Sequence, residues 1–159
     1  MIEIPHAVLT QMQDQAFASY PGECCGLLFA KPGSETVTRC AALENIADRF
    51  HALDPVEYPR SSRDAFMVNE VRLGRIVRDA EAAGEQWLAF YHSHVDCPAY
   101  FSAEDRKYAA PNNEPIYPHL YQLVIETHAD RIVEAQAFRW DGADFAHQRT
   151  FPEFASRKR

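Results

Sequence analysis

The chain has 159 residues and a formal net charge of −7, with 47% apolar and 25% charged residues, a balance typical of one globular domain. The negative charge argues against broad attraction to nucleic acid or anionic lipid, and no apolar run approaches the ~20 residues that span a bilayer. No signal-peptide pattern is visible at the N-terminus, so we expect a cytoplasmic protein that binds neither nucleic acid nor membrane.

The first half of the chain is predicted to form two helices and a β-hairpin. Apolar residues recur at helical spacing over residues 5–20, and a Pro-Gly pair follows. Residues 24–30 are a short apolar run typical of a buried strand, and residues 35–43 form its partner after a turn. Residues 45–63 are expected to be a surface loop with one short strand. A second amphipathic helix is predicted over residues 69–83.

The second half is predicted to contain three strands and a short helix. Residues 87–91 are the clearest buried strand, and residues 102–109 form a helix that Ser102 caps. Two further strands are predicted over residues 121–126 and 132–140.

This order of elements, without repeats or an interdomain linker, indicates an α/β (α+β) fold. We expect one domain over residues 1–159. A short basic C-terminal tail is expected from about residue 152, and its last four residues, Ser156-Arg157-Lys158-Arg159, are expected to be solvated.

Two histidines at the end of the clearest strand provide the first candidate metal ligands. His92 and His94 are two residues apart, and the period of a strand places both imidazoles on one face. Asp105 lies eleven residues after His94, in the first turn of the next helix. Two imidazoles and one carboxylate are the ligands typical of a catalytic zinc site with an open position for water. The sequence therefore predicts a Zn²⁺ centre.

Two further residues complete a hydrolytic site. Glu23 stands immediately before a buried strand, where burial would raise its pKa towards the range of a general acid or base. Ser102 could donate a hydrogen bond to an oxyanion on the scissile carbonyl. Structural alternatives exist for both residues: Glu23 could point to solvent, and Ser102 could be only a helix cap.

These residues together match the signature of a known family. Glu23, the His92-Ser93-His94 triplet, Ser102 and Asp105 resemble the motif of the JAMM (JAB1/MPN/Mov34, MPN+) zinc metalloproteases, over about residues 3–140. The resemblance implies a cytidine-deaminase-like fold with a curved mixed sheet. It also implies zinc bound by the two histidines and Asp105, Glu23 as acid/base and Ser102 as oxyanion donor.

The flanking segments carry the resemblance further, with one departure. Asn45 resembles the asparagine that often follows the family's second strand, and the apolar residues after Glu23 resemble its first core strand. The family commonly has proline after the second histidine, whereas this chain has Val95, so the following loop need not take the family's shape.

The resemblance also suggests a substrate. Compact prokaryotic-type members act on ubiquitin-like or sulfur-carrier proteins that end in Gly-Gly. We therefore expect an isopeptidase or peptidase that cuts the amide bond after that tail. The alternative is a metal-free MPN-type scaffold or binding module without catalysis.

The loop after the histidines contains Cys97. Its thiolate could occupy the open position of the metal and cap it, or the residue could have no role. Aromatic residues could line a substrate groove or belong to the core, and the remaining histidines are interpreted as surface or loop residues. The aromatic candidates are Tyr58, Phe66, Tyr100 and Phe101, and the other histidines are His6, His51, His119, His128 and His147.

Overall fold

The structure, a computed structural model, describes residues 1–159 and contains four α-helices, two short 3₁₀ helices and seven strands. The helices are α1 (His6–Ser19), α2 (Ala47–Leu53), α3 (Glu70–Ala82) and α4 (Ala103–Ala109). The strands are β1 (Cys25–Ala30), β2 (Val37–Leu43), β3 (Gln86–Val95), β4 (Tyr121–Thr127), β5 (Arg131–Trp140), β6 (Phe145–Phe151) and β7 (Ser156–Arg157).

The strands form one mixed sheet in the order β2-β1-β3-β4-β5-β6, with β7 also pairing with β5. Only β3 and β4 run parallel. Parallel neighbours need a crossover connection, and the chain between β3 and β4 contains α4. This mixed sheet with flanking helices confirms the predicted α/β (α+β) fold.

Helices cover both faces of the sheet because its central strands bury side chains on both sides. One core cluster joins α1 to one face, with Met12 and Tyr91 as large, fully buried members. A second cluster joins α3 to the other face and includes Leu73, Trp87 and Phe90. The alternation of Phe90 and Tyr91 between the clusters follows the period of a strand. None of the helices has both the length and the apolar character that a membrane span requires.

The segment after β2 differs from the prediction of a loop with one short strand, because it contains α2 and no strand. One local contact and two from a segment fourteen residues further on hold this seven-residue helix in place. The Ala47 N–H donates to Asn45 Oδ1 at 3.0 Å, and the Asp48 carboxylate accepts hydrogen bonds from the backbone and side chain of Ser62. Such tertiary contacts leave no periodic signal in a segment this short.

The C-terminal tail expected from about residue 152 is mostly exposed, but it is anchored to the domain at two points. Phe151 ends the unpredicted strand β6, and Phe154 in the following 3₁₀ helix is fully buried against the α1 core. Beyond it, β7 pairs with β5 opposite Arg131 and Ile132. Burial of the two phenylalanines explains why this segment packs, since each removes a large apolar area from water.

Candidate metal centre

The C-terminal end of β3 carries the two candidate histidine ligands inside the protein. His92 and His94 are 1% and 5% exposed. Strand β1 lies on one side of β3, with Cys25 opposite His92, and β4 lies on the other side. Both imidazoles are therefore fixed by a central strand that is hydrogen-bonded along both edges.

Asp105 reaches the histidines from the first turn of α4. Its Oδ1 is 3.1 Å from His92 Nε2, and its Oδ2 is 3.1 Å from His94 Nε2. A capping box sets this position: Asp105 N–H donates to Ser102 Oγ, and Ser102 N–H donates to Asp105 Oδ2, each at 3.0 Å. The candidate ligand Asp105 is thus also the N3 residue of the capping box, whose N-cap is Ser102.

A hydrogen bond orients the His94 ring, whereas the His92 ring has no hydrogen-bond partner. His94 Nδ1 is 2.8 Å from the Pro98 carbonyl oxygen, which can only accept, so this nitrogen carries the proton and Nε2 faces Asp105. Both ring nitrogens of His92 are buried without a hydrogen-bond partner, because the 3.1 Å approach to Asp105 lacks hydrogen-bond geometry. An unpartnered buried nitrogen is costly unless another group engages it.

The three residues fit a divalent metal ion. His92, His94 and Asp105 each offer one ligand atom, and these atoms lie within 4.8 Å of one another. The unpartnered Nε2 of His92, which faces Asp105, would gain a partner in such an ion, and two imidazoles with a carboxylate suit zinc. Burial alone would raise the pKa of Asp105, but the two imidazoles and the Ser102 N–H outweigh it and hold that pKa well below its usual range.

Glu23 faces the same three residues across β1. Continuing the antiparallel register from Cys25 and His92 by two places sets Glu23 opposite His94. Its side chain is only 7% exposed, lines the cleft and makes no hydrogen bond or ion pair. Burial raises the pKa of Glu23 to about 7, although the nearby His92 and His94 partly offset that effect. A carboxyl group of this pKa can accept and release a proton near neutrality.

The backbone around Glu23 is held from two sides. Its N–H donates to the Ser62 carbonyl oxygen, and its own carbonyl oxygen accepts from Asn45 Nδ2 at 3.0 Å. Asn45 also donates to the Ala65 carbonyl and accepts from Met67 N–H. The asparagine after β2, noted in the sequence through the resemblance, therefore joins Glu23 to residues 61–68.

The cleft over the centre has a volume of about 560 Å³ and mixes charged and aromatic residues. Its walls include three cations (Arg60, Arg63 and Lys107), four carboxylates (Glu23, Asp64, Glu104 and Asp105) and three aromatic side chains (Phe66, Tyr100 and Tyr108).

Two of the four aromatic residues suggested for a groove lie in the cleft and two do not. Phe66 packs 4.6 Å from the His92 ring, and Tyr100 packs 5.1 Å from the His94 ring, centroid to centroid. Phe101 instead packs against the core residue Phe145, and Tyr58 packs against Phe50.

Cys97 lines the cleft, but its sulfur is not among the atoms that lie within 4.8 Å of one another. Burial raises the pKa of its thiol, which disfavours the thiolate needed for metal binding. The geometry therefore does not favour Cys97 as a cap.

Sequence reasoning missed two groups that lie beside the ligands or their loop. The Pro98 carbonyl has no side-chain signal, since any residue offers one. His128, predicted to be a surface or loop residue, does lie in the loop after β4, where it is held between Glu126 and Asp96. Its two carboxylate partners come from different elements, so spacing along the chain did not reveal them.

Comparison with known proteins adds a family match. Residues 5–141 match the family described as prokaryotic homologs of the JAB domain. A desampylase from Haloferax volcanii is 27% identical over 104 residues, which are 65% of this chain and 66% of that relative.

Solved structures share the fold at low identity. A solution structure from Desulfitobacterium hafniense has a TM-score of 0.69 and 23% identity, covering 93% of this chain and 90% of that one. The crystal structure of a JAB1/MPN domain protein from Archaeoglobus fulgidus has a TM-score of 0.52 and 12% identity, covering 93% and 94%. These likenesses confirm the predicted JAB1/MPN fold.

Proposed function

The chain belongs to the prokaryotic JAB-domain family, and from that premise we propose that it is a zinc-dependent hydrolase of amide bonds. The observation that carries the proposal is the buried trio of His92, His94 and Asp105, whose ligand atoms lie within 4.8 Å of one another, with His94 and Asp105 lining a cleft. The chemistry that zinc supplies in such a centre is Lewis acidity, which lowers the pKa of water towards ~7 and polarises a carbonyl group.

Glu23 is proposed as the general acid/base. Its carboxylate lines the cleft and has no partner within the protein, so it is free to accept a proton from the attacking water. The same proton then passes to the leaving nitrogen as the carbon–nitrogen bond breaks and the new carbon–oxygen bond is retained. A buried carboxylate without a partner destabilises the fold, and this role explains why one stands there.

Ser102 is proposed as the oxyanion donor. Its Oγ accepts the Asp105 N–H in the capping box, which uses only a lone pair of the hydroxyl oxygen. The hydroxyl proton remains available, and Ser102 lines the cleft. It can therefore donate to the negative charge that develops on the scissile carbonyl oxygen.

The proposed substrate is a ubiquitin-like or sulfur-carrier protein cut after its C-terminal Gly-Gly. Support comes from the family resemblance and from the similarity to a relative that is named as an enzyme, a desampylase. Aromatic side chains crowd the cleft, with Phe66 and Tyr100 packed directly on the histidine rings. Glycines lack a Cβ and allow close backbone approach past such walls.

The alternative, a metal-free scaffold, is less well supported. A scaffold does not require Glu23, His92, His94 and Asp105 together in buried positions, each of which removes a polar side chain from water.

The test is cleavage of paired fusion substrates by the zinc-loaded protein. A ubiquitin-like protein ending in Gly-Gly, joined to one further residue or to a lysine side chain, should be cut after the second glycine. The same protein ending in Leu-Leu should resist. Chelation should stop the reaction and added zinc should restore it. Equal cutting of both substrates, or cutting that resists the chelator, would refute this substrate and this mechanism.

A further inference from the structure

The loop between β3 and α4, residues 96–101, orients one of the candidate ligands. The Pro98 carbonyl oxygen accepts the hydrogen bond from His94 Nδ1 at 2.8 Å. This is the hydrogen bond at the edge of the His94 ring that points away from Asp105, and it sets the tilt of the ring. The position of the Pro98 carbonyl, and hence the aim of His94 Nε2, depends on how the loop leaves β3.

Asp96 begins this loop in a conformation that most residues avoid. Its φ is +57°, in the left-handed region, where a Cβ comes too close to the following carbonyl oxygen and destabilises the backbone. The Asp96 N–H donates to the Thr127 carbonyl oxygen at 2.9 Å, so the turn is fastened to the end of β4. Aspartate tolerates this conformation better than most residues, but backbone strain of this kind needs support from its surroundings.

The Asp96 side chain receives that support from two separate elements. The Tyr20 hydroxyl, at the end of α1, donates to its carboxylate at 2.9 Å from Oδ2 and 3.1 Å from Oδ1. His128 Nδ1, just beyond β4, lies 3.4 Å from Oδ1, while its Nε2 lies 2.8 Å from Glu126 Oε1. A longer ion pair, 3.9 Å to Arg63, adds little because both groups are well exposed.

We propose that Asp96, held by Tyr20 and His128, is a positioning residue for the candidate ligand His94. The carboxylate fixes the left-handed turn, the turn fixes the Pro98 carbonyl, and the carbonyl fixes the imidazole. Residue 95 is valine, so no proline ring restricts the backbone where the turn leaves β3. The inference rests on the proposed metal centre. Groups that orient a histidine ligand in this way typically change metal affinity by about 10–100-fold.

Three substitutions at one position separate the backbone from the side chain. Asp96→Gly keeps the left-handed turn accessible and removes the carboxylate, so the zinc dissociation constant should rise by about 10–100-fold. Asp96→Asn keeps an oxygen that accepts the Tyr20 hydroxyl and tolerates the turn, so zinc affinity should stay within about threefold of wild type. Asp96→Ala loses both features and should be at least as weak as Asp96→Gly.

Tyr20→Phe removes one hydroxyl without touching the loop and should weaken zinc binding by about threefold to tenfold. Its matched control is Tyr117→Phe, since the Tyr117 hydroxyl makes no hydrogen bond and its ring packs on Trp87, away from the histidines. Zinc affinity is measured by competition with a chromophoric chelator. Thermal unfolding of the metal-free proteins shows whether each variant is folded.

A second measurement needs no metal. Proton–nitrogen NMR of the histidine rings at about pH 8 detects the His94 Nδ1–H that donates to the Pro98 carbonyl, whatever the state of Nε2, which faces Asp105 Oδ2 at 3.1 Å. In the wild-type protein this proton should be protected from exchange with water, and in Asp96→Gly the protection should be lost. Wild-type zinc affinity and a fully protected Nδ1–H in both Asp96→Gly and Tyr20→Phe would overturn the inference. Failure of the wild-type protein to bind zinc would instead refute the proposed function, and the Nδ1–H would still decide the role of Asp96.

Discussion

Replacing Glu23 by glutamine should stabilise the metal-free protein at alkaline pH while removing most of its proposed activity. Burial raises the pKa of this carboxyl from its ordinary value of 4.5 to about 7. A group whose pKa is higher in the folded chain stabilises that chain fully below the unfolded pKa, and this contribution is lost as pH rises through the folded pKa. Glutamine has nearly the same shape and no charge to bury.

The magnitude follows from the two pKa values. At about 1.4 kcal/mol per pH unit, the ionised Glu23 destabilises the fold by on the order of 3 kcal/mol above about pH 7. The free energy of unfolding of Glu23→Gln should therefore match that of the wild type below about pH 4.5 and exceed it by on the order of 3 kcal/mol at about pH 8. Titrations of other groups cancel in this comparison, since both proteins contain them.

The assay is urea unfolding of chelator-treated proteins across this pH range, followed by turnover of the zinc-loaded proteins. Glu104→Gln is the matched control, because Glu104 lines the same cleft with a side chain that is 58% exposed. It should change stability by less than about 0.5 kcal/mol at any pH. Turnover of Glu23→Gln should fall by about 10²–10⁴-fold. A stability difference that does not change with pH, or turnover within a few-fold of wild type, would contradict the reasoning.

Three further predictions concern the neighbours of Glu23. His92→Ala, His94→Ala or Asp105→Ala should each reduce zinc, measured by metal analysis, from about one per chain towards none, and full zinc in His94→Ala would refute the ligand set. Ser102→Ala removes the α4 cap, so Tm should fall by roughly 2–4 °C, and turnover should fall by about 10²-fold or more. Unchanged turnover would leave Ser102 only the capping role. Cys97→Ser should leave zinc affinity and turnover unchanged, because the Cys97 sulfur lies outside the ligand cluster. Higher turnover would show that the thiol reaches the metal.

The candidate ligands could be predicted from the sequence because local rules place them. A strand puts His92 and His94 on one face, and a capping box fixes Asp105 three residues after Ser102. Glu23 differs, since only the register between β1 and β3, which are far apart in the chain, sets it opposite His94. The family resemblance, rather than any local pattern, supplied that link.

The elements that prediction missed depend on partners elsewhere in the fold. Strand β6 buries Phe145 and Phe151 at its two ends and leaves the residues between them partly or fully exposed, so apolar alternation along it is weak. Pairing with β5 forms it. Helix α2 similarly depends on bonds between Asp48 and Ser62, fourteen residues apart. Long-range contacts overrode weak local preference in both cases.

The distribution of buried polar groups argues for a catalytic centre over a scaffold. Seven polar or charged residues are buried, and four of them, Glu23, His92, His94 and Asp105, lie together at the centre. Both ring nitrogens of His92 lack a hydrogen-bond partner, and the buried Glu23 carboxyl makes no hydrogen bond or ion pair within the protein, a condition that destabilises a fold unless a ligand or a reaction engages those groups. Apolar residues at the same positions would pack the same sheet at less cost. Residues that destabilise a fold are found mainly at functional sites. Here the unpartnered His92 nitrogen would be engaged by a metal ion, and the unpartnered Glu23 carboxyl would be engaged by proton transfer.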